Sequence, residues 1–257
     1  MVCVGISLMI ANSSIADSFQ ALLDQKIGTE IFQLNYPLSI WINDGLMAIF
    51  FLLVGLEIKR EIIEGELSSV KSASLPIVAA IGGMLVPALI FYAFNYGTAY
   101  EKGWAIPMAT DIAFSLAIIS MLGRKVPLSL KIFLAALAIV DDLGAIVVIA
   151  LFYTDQIHWN YLALSGLMVA ILMILNFMNF KKHVFYVIPG IILWYFMHHS
   201  GIHATIAGVL LAFTIPTNLS TTELSPLEKL EQKLHLPVNF LIMPIFALAN
   251  TNITFKA

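Results

Sequence analysis

Residues 130–153 read LKIFLAALAIVDDLGAIVVIALFY, and this stretch decides the class of the protein. It is apolar enough to cross a bilayer, which takes about 20 mostly apolar residues in a helix. Between Phe133 and Phe152 the only charged residues are Asp141 and Asp142, near the centre. The stretch therefore predicts a membrane-spanning helix that carries two carboxylates at its middle.

The whole chain has the composition of a membrane protein. Of its 257 residues, 60% are apolar and 11% are charged, with a mean hydropathy of +0.92. A soluble domain carries about 25% charged residues, so the composition argues against a soluble enzyme, a disordered region or a coiled coil. The single cysteine, Cys3, cannot form an internal disulfide, and the net charge of −3 offers no basic field for nucleic acid.

Further apolar stretches predict an all-α polytopic membrane protein with a single membrane domain over residues 1–257. The predicted spans are 1–11, 38–58, 73–95, 103–122, 130–153, 159–178, 184–198, 201–216 and 238–249. The first is too short to cross, and the last stops close to the end of the sequence. We therefore expect the chain to be incomplete at both ends. The alternative is that both terminal segments are natural short or re-entrant segments.

The basic residues predict the orientation. If the N-terminus is cytoplasmic, ten of the 13 lysines and arginines flank cytoplasmic helix ends, as the positive-inside rule requires. The outer connection from Asn12 to Pro37 is long, and the imperfect alternation of residues 29–36 predicts a short strand or hairpin there. The polar stretch 217–236 predicts a linker followed by the start of a helix.

Three carboxylates lie inside predicted spans, namely Asp111, Asp141 and Asp142. Each costs about 2.5 to 3.5 kcal/mol at the centre of a membrane helix, so an ionisable residue there indicates function. Pro107 precedes Thr110 and Asp111, and this order predicts an interrupted helix whose freed carbonyls suit a small cation. The alternative is a simple proline kink.

Asp141 and Asp142 are adjacent on one helix and therefore point about 100° apart. Close or buried carboxylates hold protons more tightly, and deprotonated ones offer the hard oxygen ligands that hard cations prefer. A site of this kind lets H⁺ and a cation compete, and competition with alternating access gives exchange. The alternative is a structural role as buried, hydrogen-bonded carboxyl groups.

Several other residues carry weaker predictions. Gly82, Gly83 and Gly144 predict close helix packing, because small residues let membrane helices approach. His203 is predicted to be a buried neutral histidine with one hydrogen bond, with a role in pH response as the alternative. The pair His198-His199 is predicted to lie at an outer loop without ligands for a metal site.

Seven motifs in order along the chain resemble the NhaA family of sodium/proton antiporters. They are WIND at 41–44, FLLVGLEIKRE at 51–61, ATDIAF at 109–114, KIFL at 131–134, AIVDDLGA at 138–145, SGIHAT at 200–205 and PIFALAN at 244–250. The resemblance extends from the family's first helix to the start of its ninth. It implies an inverted-repeat transporter fold of the bacterial inner membrane, with a broken fourth helix.

The resemblance also implies a function and its residues. The function is electrogenic exchange of internal Na⁺ or Li⁺ for external H⁺, activated at alkaline pH, without a cofactor. Asp141 and Asp142 correspond to the family's cation-binding aspartates, with Asp142 the favoured direct ligand. Thr110 is placed near the Na⁺ site, and Asp111 balances helix-end dipoles in the broken helix.

A pH-response group is implied at the cytoplasmic end of the second helix. Its members correspond to Glu57, Arg60, Glu61, Glu231 and His235, for which a solvated helix end is the alternative. Asp44 and His203 are weaker candidates. The outer segment 28–39 corresponds to a homodimer contact of the family.

This sequence departs from the family pattern where the family continues into its second repeat. That half supplies the other broken helix and a buried lysine that pairs with the aspartates, and neither is found in these 257 residues. The competing functions are an intramembrane aspartyl protease, a proton channel and an inactive fragment. The protease pattern places Gly-x-Gly before an aspartate, whereas here Gly144 follows the pair.

Overall fold

The computed structural model describes residues 2–108, 115, 118–119, 121–122, 126–154, 156–217 and 224–255, without the side chain of Glu66. Two short helices come first, α1 (Val2–Ala11) and α2 (Ala16–Leu23), and they meet at a bend of 112°. A two-stranded antiparallel sheet follows, made of β1 (Lys26–Ile27) and β2 (Tyr36–Pro37).

Most of the remaining described residues form helices. In chain order they are α3 (Leu38–Ile63), α4 (Val70–Asn95), α5 (Leu128–Phe152), α6 (Trp159–Phe177), α7 (Val184–Ser200), α8 (Ile206–Thr214) and α9 (Pro226–Asn250). Within the described part of the chain, α3, α4, α5, α6 and α9 are long and apolar enough to cross a membrane. The predicted all-α polytopic class is confirmed.

The surface of these helices suits a lipid environment. On α4, Val78 exposes 68% of its surface, and Leu75, Leu85 and Leu89 are similarly exposed. Contiguous apolar surface of this kind marks contact with a membrane or another protein. The apolar side chains of α4 are therefore placed where acyl chains can cover them.

The helices pack in two groups that meet along α3 and α5. One group is α4, α5 and the 3₁₀ helix Glu101–Met108. The other is α3 with α6, α7, α8 and the start of α9, around a core whose centre includes the fully buried Leu56, Leu172, Leu193 and Ala212. The carboxylate-bearing helix α5 thus lies at the junction of the two groups.

Local chemistry explains several helix ends. Ser225 and Glu228 form a reciprocal capping box at the start of α9, with Pro226 in the first turn. Gly201 ends α7 in the left-handed region at φ +87°, which favours glycine. The predicted helix start within the polar stretch 217–236 is confirmed by α9, which begins at Pro226.

Three local expectations are corrected by the structure. The connection 12–37 contains α2, which was not predicted. Of the strand or hairpin expected within residues 29–36, the strand is wrong and the hairpin is confirmed. Residues 28–35 connect the paired strands Lys26–Ile27 and Tyr36–Pro37, with positive φ at Gly28 and Gln33. The span expected over 201–216 contains only the nine residues of α8, about 14 Å of helix, because residues 201–205 form turns.

Of the predictions of close packing at glycines, the one at Gly144 is confirmed and the one at Gly82 and Gly83 is not. A Cβ on Gly144 would collide with the sulfur of Met84, so the predicted close approach of α5 to α4 is confirmed there. Gly82 and Gly83 have nothing within 4 Å of a built Cβ, so close packing at these positions is wrong for the described residues. No described residue lies against the part of α4 that carries them.

Candidate functional site

The two central carboxylates of α5 differ in burial. Asp141 exposes 3% of its surface, whereas Asp142 is half-buried. Gly144 and Val148 lie on the same side of the helix as Asp141 and pack beside Met84 of α4. Asp141 therefore lies on the side of α5 that is covered by α4.

Asp142 lies on a different side of α5. Ile139, one turn before it, packs against Val54 and Ile58 of α3. Ala135, two turns before it, lines a cavity beside the end of α3. Since a helix rises about 1.5 Å per residue, Ala135 precedes Asp142 by about 10 Å along the axis. The cavity therefore borders the side of α5 that carries Asp142.

We name this cavity the acidic pocket. Its volume is about 520 Å³. Its lining residues are Glu61, Glu64, Gly65, Ser68, Ser72, Ile132, Ala135 and Ala136. Carboxylate and hydroxyl oxygens are ligands that hard cations prefer, and negative charge in a cleft raises the local cation concentration. The pocket is suited to collecting small cations at one end of α5.

A charged cluster surrounds Arg60 at the same end of α3. Arg60 Nη2 lies 3.3 Å from Oε1 of Glu231 on α9 and 4.0 Å from Oε1 of Glu61. Glu57 interacts electrostatically with all three of these residues, and His235 interacts with Glu231. The structure thus brings together the five residues predicted for pH response. One guanidinium among three carboxyl groups leaves a cluster whose net charge changes when a carboxyl group takes up a proton.

Asp44 lies at the opposite end of α3, within a π-helical segment. Its Oδ2 lies 3.0 Å from Nδ1 of His198, and its carbonyl accepts a hydrogen bond of 3.1 Å from Nε1 of Trp194. The ring of Tyr36 meets the ring of His198 edge-on at 4.8 Å. Burial raises the pKa of the Tyr36 hydroxyl, with further contributions from Tyr195 and Asp44. Asp44 therefore joins α3 to α7, far from the acidic pocket.

Two histidine predictions are wrong in placement. His198 and His199 lie in the last turn of α7 and not in a loop, because the helix continues to Ser200. His203 is exposed and not buried, because it lies in the turn between α7 and α8. Neither position adds a group to the aspartate site.

Thr110 and Asp111 lie outside the described residues, so their role in a broken helix stays a prediction. The residues before them, Glu101–Met108, form a 3₁₀ helix that includes Pro107. This differs from the α-helical span predicted over 103–122. Proline has no N–H to donate to an α-helical ladder, so an irregular start is compatible with its position.

Sequence reasoning missed two residues that the structure places near the site. Glu64 lines the acidic pocket, and Lys59 reaches the end of α8. Both belong to a charged helix end, which is ordinary in sequence. The spacing of Glu61 and Glu64 by three residues indicates a shared helix side, which is the one signal the sequence offers.

The chain matches the family model described as Na⁺/H⁺ antiporter 1 over residues 1–257. It is 58% identical over 260 residues to the Na⁺/H⁺ antiporter NhaA 2 of Flavobacterium johnsoniae, a match that covers 100% of this chain and 64% of the relative. The chain belongs to the NhaA family of Na⁺/H⁺ antiporters. The family resemblance inferred from the seven motifs is confirmed.

Other NhaA proteins show the same extent of similarity. The NhaA of Flavobacterium psychrophilum is 52% identical over 99% of this chain and 65% of its own length. The NhaA of Vibrio vulnificus is 50% identical over 100% of this chain and 64% of its own length. The chain thus spans less than two thirds of the length of these NhaA relatives.

Proposed function

We propose that this NhaA-family protein exchanges Na⁺ or Li⁺ for H⁺ across the bacterial inner membrane, with Asp141 and Asp142 as the exchange site. The observation that carries the proposal is the pair of carboxylates in the middle of apolar helix α5. A charge there costs about 2.5 to 3.5 kcal/mol, and ionisable residues kept inside membrane helices mark ion pathways. The acidic pocket borders the side of the helix that carries Asp142, and its negative charge attracts cations toward that side.

The proposed exchange needs no covalent chemistry and no cofactor. A protonated Asp142 carboxyl group releases H⁺ as Na⁺ binds to its oxygens, and the reverse occurs on the other side of the membrane. Since the same carboxylate oxygens cannot bind H⁺ and Na⁺ at the same time, each ion displaces the other. Asp141 adds a second negative charge that favours the cation and a second carboxyl group that can carry H⁺, so more than one H⁺ can be exchanged for each Na⁺ and the exchange moves net charge. Thr110 and Asp111 support the site from the broken helix.

The proposal includes an orientation and partners. The N-terminus and the acidic pocket lie on the cytoplasmic side, which the positive-inside distribution of lysine and arginine supports. The protein releases cytoplasmic Na⁺ and admits H⁺ electrogenically, and so contributes to pH and sodium homeostasis. Its partners are Na⁺, Li⁺, H⁺, the lipid bilayer and a second copy bound through the outer segment 28–39, which contains the β1–β2 turn and Tyr36.

The test is collapse of a pH gradient in everted vesicles from a host that lacks its own antiporters. We expect NaCl and LiCl, but not KCl, to collapse the gradient when the protein is expressed from its complete gene. The same assay on residues 1–257 alone asks whether these residues are sufficient for exchange.

Each outcome of that assay separates one function from another. Proton flux that ignores Na⁺ would favour a proton channel, and cleavage of a model membrane substrate by the purified protein would favour a protease. If the complete gene product is present in the membrane and no cation collapses the pH gradient, Na⁺/H⁺ exchange is refuted.

We further propose that the cluster around Arg60 adjusts activity to pH. At alkaline pH a charged Glu231 pairs with Arg60 and holds α9 against α3. Glu231→Gln removes that charge, so the contact of α9 with α3 that accompanies activity is weaker. We therefore expect the pH of half-maximal activity to move about one unit toward alkaline pH, which corresponds to ~1.4 kcal/mol of lost interaction. The measurement is the rate of Na⁺-dependent gradient collapse against pH.

Lys233→Gln is the matched control for Glu231→Gln, because it removes one charge from the same helix at an exposed position. We expect its pH profile to follow the unmodified protein. Equal profiles for Glu231→Gln and the unmodified protein would exclude the Arg60–Glu231 pair from the pH response.

A further inference from the structure

Lys59 holds the C-terminal end of a neighbouring helix. Its ammonium donates hydrogen bonds to the carbonyl of Phe213, at 2.8 Å, and to that of Ile215, at 2.5 Å. Within the described residues Lys59 has no ion pair with a carboxylate. Its charge is therefore matched by the carbonyls at the end of α8, where the helix dipole is negative.

The end of α8 needs such donors. The last carbonyls of a helix have no partner in their own helix, and Thr214 and Ile215 are buried in an apolar core. Asn176 of α6 donates its side-chain N–H to the carbonyl of Thr214 at 2.5 Å. Lys59 and Asn176 together supply donors to three carbonyls at the end of α8, those of Phe213, Thr214 and Ile215.

Helices α3 and α8 also approach each other at backbone distance. A Cβ on Gly55, one turn before Lys59, would lie 2.7 Å from the Cβ of Ala212. A Cβ on Gly208 would collide with the carbonyl of Ala48 and lie 2.8 Å from the nitrogen of Leu52. The crossing fixes α3 against α8 along its length, and Lys59 fixes it at the end.

Three consecutive residues of α3 reach three different neighbours. Ile58 is fully buried and packs against Ile139 of α5, Lys59 reaches α8, and Arg60 pairs with Glu231 of α9. The partner of Arg60 is a carboxylate that can take up a proton. The partners of Lys59 are carbonyls that do not titrate in the range of pH in which proteins fold.

We propose that Lys59 is a positioning residue, a pivot that keeps the end of α3 fixed on α8 while the contact of α3 with α9 changes. The inference rests on the proposed function and adds a residue to its regulation. Glu61 and Glu64, which line the acidic pocket, follow Lys59 at the same end of α3, so the pivot fixes the part of α3 that carries them. The charged groups on the helices packed here are Glu57, Arg60 and Glu61 of α3, Glu64 directly after it, and Glu228, Glu231 and His235 of α9. Glu64 accepts a hydrogen bond from Thr217 just beyond α8, whereas α8 itself contributes no titratable group.

The test compares Lys59→Met with Lys59→Arg in the protein expressed from its complete gene. Methionine keeps the length and removes the donors, so we expect the apparent KM for Na⁺ to rise about tenfold, a change equal to 1.4 kcal/mol. We expect the pH profile to shift as well, with the maximal rate retained. Arginine still reaches carbonyl oxygens, so Lys59→Arg is expected to keep the KM for Na⁺ and the pH profile of the unmodified protein.

A second readout does not depend on transport. Hydrogen exchange of the amides in residues 206–217, measured by mass spectrometry, is expected to speed up in Lys59→Met and not in Lys59→Arg. Lys71→Met, at an exposed position in the first turn of α4, is the control and is expected to change neither readout. If Lys59→Met does not accumulate in the membrane, Lys59→Gln, which removes the charge and keeps an uncharged amide donor on a shorter side chain, takes its place.

The outcomes are distinguishable. Unchanged KM, pH profile and exchange in Lys59→Met would overturn the pivot and leave the proposed function standing. Faster exchange with an unchanged KM and pH profile would reduce Lys59 to a structural role and overturn the pivot too. Absence of Na⁺-dependent collapse by the unmodified protein would refute the proposed function, while the exchange measurement would still report on the contact with α8.

Discussion

Asp142→Asn is expected to abolish Na⁺-dependent proton release. The amide nitrogen carries hydrogens that cannot be given up, and the amide has no charge for the cation, so neither half of the exchange remains. Removal of one partner from a buried charge interaction costs about 3 kcal/mol or more, which corresponds to a loss of at least about 100-fold in rate. The half-buried Asp142, on the side of α5 that borders the acidic pocket, is where this loss is expected to be greatest.

The measurement is proton release by purified protein on addition of NaCl, together with gradient collapse in everted vesicles. Asp17→Asn is the matched control, because Asp17 is an exposed aspartate in the first turn of α2. Asp111→Asn is expected to lose less, since a charge that balances helix dipoles can be replaced in part by a polar group. Normal exchange by Asp142→Asn would remove Asp142 from the site and leave Asp141 as its candidate.

The membrane class could be predicted because it depends on composition alone. Unbroken apolar stretches predicted the cores of α3, α4, α5, α6 and α7, since a helix that satisfies its own backbone is the form such a stretch takes in lipid. The short α8 was predicted as a full span, because its apolar pattern continues through residues 201–205. There the left-handed Gly201 and the following turns break the helix, and the sequence signals only the glycine.

Some residues of the candidate site could be predicted from the sequence and others could not. Asp141 and Asp142 could be identified because a charge within an apolar helix is unusual in itself. Lys59 and Glu64 could not, because charges at a helix end are common and only tertiary packing shows what they contact. Asp44 and His198 illustrate the limit most clearly, since they lie far apart in sequence and meet only when α3 packs against α7.

Gly208→Ala is expected to disrupt the packing of α3 against α8. The atom added by alanine is the Cβ itself, and it collides with the backbone of Ala48 and Leu52, which cannot rotate away as a side chain could. Overpacking of this kind costs about 1 to 3 kcal/mol, and a collision with backbone belongs at the upper end. We expect a lower temperature of unfolding in detergent and a smaller yield of folded protein in the membrane.

Gly166→Ala in α6 is the matched control, because nothing lies within 4 Å of a Cβ built there. Alanine is favoured over glycine within a helix by about 0.5 to 1 kcal/mol, so this control is expected to stabilise the protein or leave it unchanged. The two substitutions add the same atom and are expected to change the stability in opposite directions. Composition and helix propensity therefore cannot account for the difference. Equal stability of the two variants would mean that α3 and α8 do not cross at backbone distance, and the fixed register on which the pivot at Lys59 depends would be lost with it.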